Sequence, residues 1–210
     1  RFYLDADVVV SIDSLRKTAE VLRSGACLAA SPAIHWDLSR CNWFVRAFYG
    51  VWQQQPYFDN GRLGAGLYAV SAAGHARIGA FPQITADDEY VRRKFAPHER
   101  MTVPEATFTV TPPQTLRNLI NIKTRSRRGT VELEKAYPEL RMPPGPSRGQ
   151  LLWRIVQRPW LWMAVPVYAL VAWTTWYRSK KGLKQGQRVA WERDMSSRVV
   201  EAQELGRLHT

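Results

Sequence analysis

The chain has 210 residues, 45% hydrophobic and 11% aromatic, and its 30 Lys/Arg against 18 Asp/Glu give a net charge of +12. That length holds one good-sized domain with or without an appendage, and two cysteines, Cys27 and Cys41, exclude a disulfide framework and lack zinc spacing. The charge is lopsided: residues 1–116 carry 12 basic and 11 acidic side chains and residues 117–210 carry 18 and 7, so an anionic partner (phosphate, nucleic acid or lipid) belongs to the second half.

The chain opens at Arg1 without methionine and almost inside a strand, as expected of a cut within a larger fold, and the short apolar start is no signal peptide. Phe2, Tyr3 and Leu4 predict a strand that ends at Asp5. In extended chain Asp5 and Asp7 point the same way, with Ala6 between them. Paired carboxylates repel unless a cation or shared proton intervenes, and hard Mg²⁺ or Mn²⁺ suits such oxygens. An Asx turn after a strand accounts for the same residues, and both readings stand at this point.

Residues 11–25 predict a helix capped by Ser11 or Asp13, with Leu15, Ala19 and Leu22 on one face and Gly25 closing it. "ACLAASP" predicts a buried strand ending before Pro32. Strand, helix, strand implies an α/β layer. The aromatic-rich stretch that follows predicts a helix around 39–53 and a loop at 54–62. "LGAGLYAVSAAG" predicts a strand flanked by glycines, then a short helix. In "TADDEYVRRKF", Thr85 and Asp88 have capping-box spacing, and Val91 and Phe95 share a helical face. "MTVPEATFTVTPP" alternates as a strand does, with Pro104 disrupting or edging it. A basic helix closed by Gly129 comes next, then a linker over 131–152 that includes "RMPPGPSRG".

Residues 159–177 carry no charge in 19 positions, and as a helix they would extend about 28 Å, close to a bilayer's hydrocarbon thickness. Five of the nine tryptophans, at 153, 160, 162, 173 and 176, cluster toward its ends as interfacial belts do. Four Lys/Arg fall in the 20 residues before it and six in the 20 after, which places the tail on the cytoplasmic side. Pro166 predicts a break that returns the chain to the same face, so spanning and interfacial modes are both open. Residues 153–181 are thus expected to be membrane-associated or transmembrane, with a basic tail over 182–210.

The order of these motifs resembles the family 2 glycosyltransferases, inverting enzymes with the type-A nucleotide-sugar fold. "LDAD" ends a strand, "GRLGAGLYAVSAAG" follows, then "FPQITADDEYV", then "KTRSRRG" and a Trp-rich apolar segment. The resemblance covers roughly residues 1–130. It implies the carboxy-terminal, metal-and-acceptor part of a Rossmann-like type-A domain, its nucleotide-binding amino-terminal part missing, followed by a Trp-rich membrane-associated helical segment. Asp5 and Asp7 match the family's DxD, the second aspartate binding a divalent cation, Mg²⁺ or Mn²⁺, on the donor diphosphate. Asp88 matches the catalytic base, and Asp87 the acidic residue before it. Beside that role, Asp88 has a plain reading as a helix cap.

Gly64 and Gly66 lie where the family's glycine-bearing strand lines the acceptor; a turn or bulge explains them equally well. "IKTRSRRG" stands near the family's QxxRW motif but lacks its glutamine and tryptophan, so Arg125 and Arg128 are the candidate diphosphate contacts and a processive polymer synthase is disfavoured. The resemblance implies a nucleotide-sugar donor, a glycan or lipid-linked acceptor, contact with membrane lipids, no nucleic acid, and a catalytic part on the cytoplasmic side of the cytoplasmic membrane.

Two other readings use the same residues. "LDADVV" loosely matches the haloacid-dehalogenase phosphatase motif, with Ser31 and the acidic pair near 87 as later motifs, but Lys17 is the only lysine between Asp7 and Asp87 and lies in the first helix. A non-enzymatic basic protein bound to membrane or nucleic acid explains the second half and leaves the aspartates of the first half without a role.

Overall fold

The computed structural model describes residues 1–58, 63, 66–141 and 148–184. Within them the chain is mixed α/β, with one mixed five-stranded sheet and seven α-helices. The strands are β1 (Phe2–Leu4), β2 (Val8–Val10), β3 (Ala29–Trp36), β4 (Leu67–Val70) and β5 (Arg100–Val110), in the order β1-β4-β3-β5-β2. β3 and β5 are parallel; β4 is antiparallel to both β1 and β3, and β2 is antiparallel to β5.

β1 and β2 stand at opposite ends of this order, yet only Asp5, Ala6 and Asp7 separate them. In a flat sheet the outer strands would lie ~19 Å apart, whereas four chain steps reach at most ~14 Å. The sheet must therefore curl until its ends approach. The bend is built into β5: its register with β3 jumps between the pairs Pro32–Val103 and Ala33–Thr107, leaving Pro104, Glu105 and Ala106 outside the ladder. Pro104 thus interrupts the pairing, as its sequence predicts, without ending the strand.

Pro32 does not end β3, contrary to expectation. β4 pairs with β3 only at Ala29 and Ala30, and Pro32 sits at the register jump, so its missing N–H falls where the ladders make little demand on it. The Ser31 hydroxyl donates to Leu67 O at 2.8 Å and ties the strands just beyond their last pair.

The two faces of β3 open on different cores, as strand alternation requires. Ala30 packs with Cys27, Val103 and Ala106 under Val21 and Leu22 of α1 (Ile12–Arg23). Ala29 packs with Tyr68, Val70 and Ile78, and with Tyr90, Val91 and Phe95 from α4 (Asp87–Lys94) and the segment after it. Ile78 ends α3 (Ala72–Ile78). Helix α1 is capped by Ser11, whose Oγ accepts from Ser14 N, and Gly25 follows it at φ +76°. Its most buried positions are Ser14 and Thr18, with Leu15 and Ala19 only half-buried. Ser14 faces β5, where its Oγ accepts from Thr107 N beside the register jump.

A helical layer lies beyond the sheet. It comprises α2 (Trp43–Trp52), α5 (Leu116–Ala136), α6 (Arg148–Val156) and α7 (Val165–Lys184), with 3₁₀ turns at Pro56–Phe58, Pro138–Leu140 and Pro159–Ala164, while a further 3₁₀ turn, Pro97–Glu99, leads directly into β5. Asn42 caps α2 from within the predicted 39–53 span by accepting from Val45 N. α5 runs past Gly129 to Ala136, so Gly129 is no terminator and 131–136 is helix, with Leu133 fully buried, rather than linker. A Cβ on Gly129 would meet the Cβ atoms of Thr85 and Ala86 at 3.2 Å; glycine is there for close approach.

The apolar stretch at 159–177 is also not one helix. Its first six residues form the 3₁₀ turn, and Pro166 lies in the first turn of α7, where a missing N–H costs nothing. The break lies upstream, at Gln157–Arg158. The arms Gly149–Val156 and Pro159–Leu183 meet at 119°, and no single described helix is long and apolar enough to cross a membrane.

Gly66 is where the curled sheet closes. It has φ +102°, and a Cβ on it would stand 2.7 Å from Val8 Cγ2 and 3.4 Å from Asp5 Oδ2. Gly66→Ala therefore combines backbone strain with overpacking and is expected to cost about 2–4 kcal/mol in urea unfolding, with little change in far-UV circular dichroism of the folded state.

Candidate functional site

Asp5 leaves β1 at its carboxyl end, where open α/β sheets bind ligands. The segment Asp5–Val8 is a turn rather than extended chain: Asp5 O accepts from Val8 N at 3.4 Å, and Asp5 N donates to Gly66 O at 2.8 Å. The extended backbone from which strand alternation would set the two side chains is thus absent, because the chain must turn toward β2. The glycine predicted to line an acceptor, Gly66, instead backs onto Asp5 and Val8, which fill the space a side chain would need. Gly64 lies outside the described residues.

Asp87 and Asp88 open α4. Ala86, not Thr85, occupies the cap position and makes no side-chain cap bond. The predicted capping box is absent because Thr85 Oγ1 donates instead to Glu132 Oε2 of α5 at 3.3 Å. The first turn is satisfied locally, Asp88 N donating to Asp87 Oδ1 at 2.9 Å and Glu89 N to Asp88 Oδ1 at 2.7 Å. Three acidic residues at this end suit the helix dipole. The helix is held from behind. Arg93, its side chain 5% exposed, donates to Glu89, to Glu134 at 3.1 Å and to Leu140 O at 3.3 Å, while Arg92 also pairs with Glu89. Those guanidinium partners hold the Glu89 carboxyl below its ordinary range despite its burial.

The two acidic motifs, about 80 residues apart in sequence, lie within electrostatic reach of each other. The Asp5 carboxyl is raised above its ordinary value, first by the protein crowded around it and then by the charges of Asp7, Asp88 and Asp87, with Arg125 opposing them. Solvent still reaches Asp5, Asp7, Asp87 and Asp88, so the site is walled and open rather than sealed. Of the two predicted arginines, Arg125 acts on this cluster. Arg128 is engaged elsewhere: its Nη2 donates to Arg178 O at 3.1 Å, and its guanidinium occupies the space beside Gly182 of α7.

Tyr68 on β4 is a member of the site that the sequence does not reveal. It is buried and stacks on Tyr3 with ring centroids 4.9 Å apart. Burial pushes its phenol up, and the charges of Asp87, Asp88 and Asp5 push it further. A period-two strand pattern says only that Tyr68 faces a core; that it lies within reach of the carboxylate charges accompanies its register with β1, where it is paired with Tyr3.

Asp5 and Asp7 are oxygen donors of the kind a hard cation takes, and burial first, then the neighbouring carboxylates, disfavours the charged form of Asp5. Among the described residues no group of three Asp, Glu, His or Cys side chains is placed to hold a metal unaided. Asp5 and Asp7 would therefore supply only part of a coordination shell, the remainder coming from a ligand.

With its pKa raised in the folded state, Asp5 begins to destabilise the fold as pH rises above the ordinary carboxylate value of 3.8, and the penalty is complete above its folded pKa. In chelator at pH 7, Asp5→Asn is expected to raise Tm by about 1–3 °C, and to leave it unchanged at pH 3. Scanning calorimetry of both proteins across that range checks the sign.

No protein-family model matches the chain, and no curated protein matches it either.

Proposed function

We propose that the chain is the metal- and acceptor-side part of an inverting, metal-dependent glycosyltransferase resembling family 2, a hexosyltransferase moving sugar from a nucleotide donor to an acceptor hydroxyl. The observation that carries this reading is that the charges of Asp7, Asp88 and Asp87 all act on the Asp5 carboxyl at the carboxyl end of β1. Finer placement of the fold as Rossmann-like and type-A belongs to the same proposal. Its natural location is the cytoplasmic side of the cytoplasmic membrane, with a cell-envelope or lipid-linked glycan as acceptor.

Asp5 and Asp7 would hold a Mg²⁺ or Mn²⁺ ion, which when bound neutralises charge on the departing nucleoside diphosphate. Arg125 adds positive charge on the same side of the cluster. Asp88, at an exposed helix start, is the group to take the acceptor hydroxyl proton as that oxygen attacks the anomeric carbon. Asp87 stiffens the turn that presents it, by accepting from Asp88 N. Arg93 and Glu134 fix the helix behind them. Tyr68, buried within reach of the same charges, stays a neutral phenol.

The phosphatase reading gains no support from the geometry. Lys17 pairs with Asp13 at 2.7 Å on α1, and the Ser31 hydroxyl is buried in the sheet on Leu67 O. Neither stands ready to assist a phosphoryl transfer at Asp5.

The test uses the longest gene product containing this chain, with a panel of sugar nucleotides and Mn²⁺, following release of nucleoside diphosphate. Turnover of one donor is expected, abolished by chelator and by Asp7→Ala and lowered about 10²–10⁴-fold by Asp88→Asn. Hydrolysis of simple phosphate esters that depends on Asp5, with no sugar nucleotide consumed, would overturn the proposal in favour of the phosphatase.

A further inference from the structure

Among the described residues, seventeen large hydrophobic side chains are exposed, and ten of them fall between residues 152 and 177. They include Trp153, Trp160, Trp162, Met163, Trp173 and Trp176, with Met163 76% and Trp160 73% exposed. At roughly 100 Å² apiece they present on the order of 1,000 Å² of exposed apolar surface within one segment of the chain.

Helix α7 is inside-out for a helix in water. Thr175 and Ser179 are buried toward the protein with Val167 and Val171, while Leu170, Trp173, Trp176 and Tyr177 face outward. Water selects the reverse arrangement. The outward face ends in the exposed Arg178, Lys180 and Lys181, and Lys180 Nζ lies 5.1 Å from the Trp176 ring centroid. Residues 148–184 contain seven Lys/Arg and no Asp or Glu. This pairing of aromatics with cations matches a surface that is apolar within and negative at its rim.

The inner face of α7 fixes how such a surface is met. Val171 packs with Val45, Phe48 and Leu119, and Val167 with Ala47, Val51 and Leu161, so α2 and α5 line the helix. Arg178 Nη1 donates to Asn121 Oδ1 at 3.2 Å, and Arg128 Nη2 returns a bond to Arg178 O. A helix packed in this way cannot cross a bilayer without taking the domain, with the exposed Arg117 and Arg127 of α5, into hydrocarbon. The 119° bend lets a short and a long arm both lie in one plane.

We infer that the bent segment 148–184 is a monotopic seat, lying in the interface of an anionic lipid bilayer with its Trp-rich face in the headgroup–acyl boundary. The seat does not depend on the sugar-transfer reading, since it needs no catalytic residue. It deepens that reading where both hold: α5 carries Arg125 at the site and packs against the seat, so an acceptor arriving from the lipid would meet a site held at fixed height.

The experiment is flotation of the full chain with vesicles of phosphatidylcholine containing one-third phosphatidylglycerol, joined to quenching of tryptophan fluorescence by lipids brominated at different depths. Wild type is expected to float with these vesicles, less with pure phosphatidylcholine, and to be quenched most by shallow bromines. Trp153→Ser/Trp160→Ser/Trp173→Ser, all at exposed positions, is expected to partition at least about tenfold more weakly at unchanged circular dichroism. Folded wild type that stays with the aqueous fraction would overturn the inference, as would flotation undiminished in the variant. Quenching strongest at the bilayer centre would replace the seat with a spanning segment. A lipid-free dimer that persists beside vesicles would assign the face to a second copy of the chain.

Discussion

The structure depends on a limit of reach. Strands at opposite ends of a five-stranded order are joined by three residues, and a chain that short cannot bridge a flat sheet. Curling is the only solution, and its parts are visible: a three-residue register jump in β5, proline at both Pro32 and Pro104 beside the jump, and a glycine where the ends meet. The joining residues include Asp5 and Asp7. The carboxylates therefore stand on the most constrained turn of the sheet, and Gly66 accepts the Asp5 N–H directly. Their position is a consequence of closing the sheet rather than an addition to it.

The second half of the site is held by contacts of a different kind. α4 begins with two exposed carboxylates and would be a poor anchor by itself. It is fixed because Gly129 allows α5 to approach Thr85 and Ala86 closely, while Arg93 joins Glu89 to Glu134 and the Leu140 carbonyl. A buried arginine with two carboxylates and a carbonyl is worth having for where it holds the chain more than for net stability. The like charges gathered at Asp5 are an energetic cost that the sheet and α5 together sustain. Clustered costs of this kind are concentrated at binding and catalytic centres.

What the sequence reveals divides along local and non-local lines. Ser11 as a cap, Gly25 as a stop, the strand at Tyr68 and the helix around Val91 are set by neighbours a few residues away, and they stand as read, whereas Phe95 falls just past the helix in extended backbone and still joins the same core as Val91. Thr85 was legible as a cap partner only until α5 offered it Glu132, 47 residues distant. Gly129 looks like a helix end because glycine usually is one; only the crossing of another segment reveals its use. Pro32 fails as a strand end for the same reason, since whether its missing donor matters depends on where β4 stops. In the site, Asp5, Asp7, Asp87 and Asp88 were legible as two short acidic motifs, and their meeting was implied by a family resemblance rather than by spacing. Tyr68 and the diversion of Arg128 to α7 were not legible, because each depends on a partner in another element.

The division of charge along the chain acquires a physical sense from α5. The near-neutral first half holds Asp5, Asp7, Asp87 and Asp88, and the strongly basic second half holds the Trp-rich arms. α5 belongs to both: Arg125 acts on Asp5, and three residues on, Arg128 reaches α7. One helical turn thus separates a residue facing the carboxylates from one tied to the apolar layer. A helix is stiff over that distance, so displacement of α7 against α2 would carry Arg125 with it. Packing of Leu119 and Ile120 with Val171 opposes that displacement over the length of the contact. One helix, α5, therefore carries both the charge that acts on Asp5 and the packing beneath the outward tryptophans.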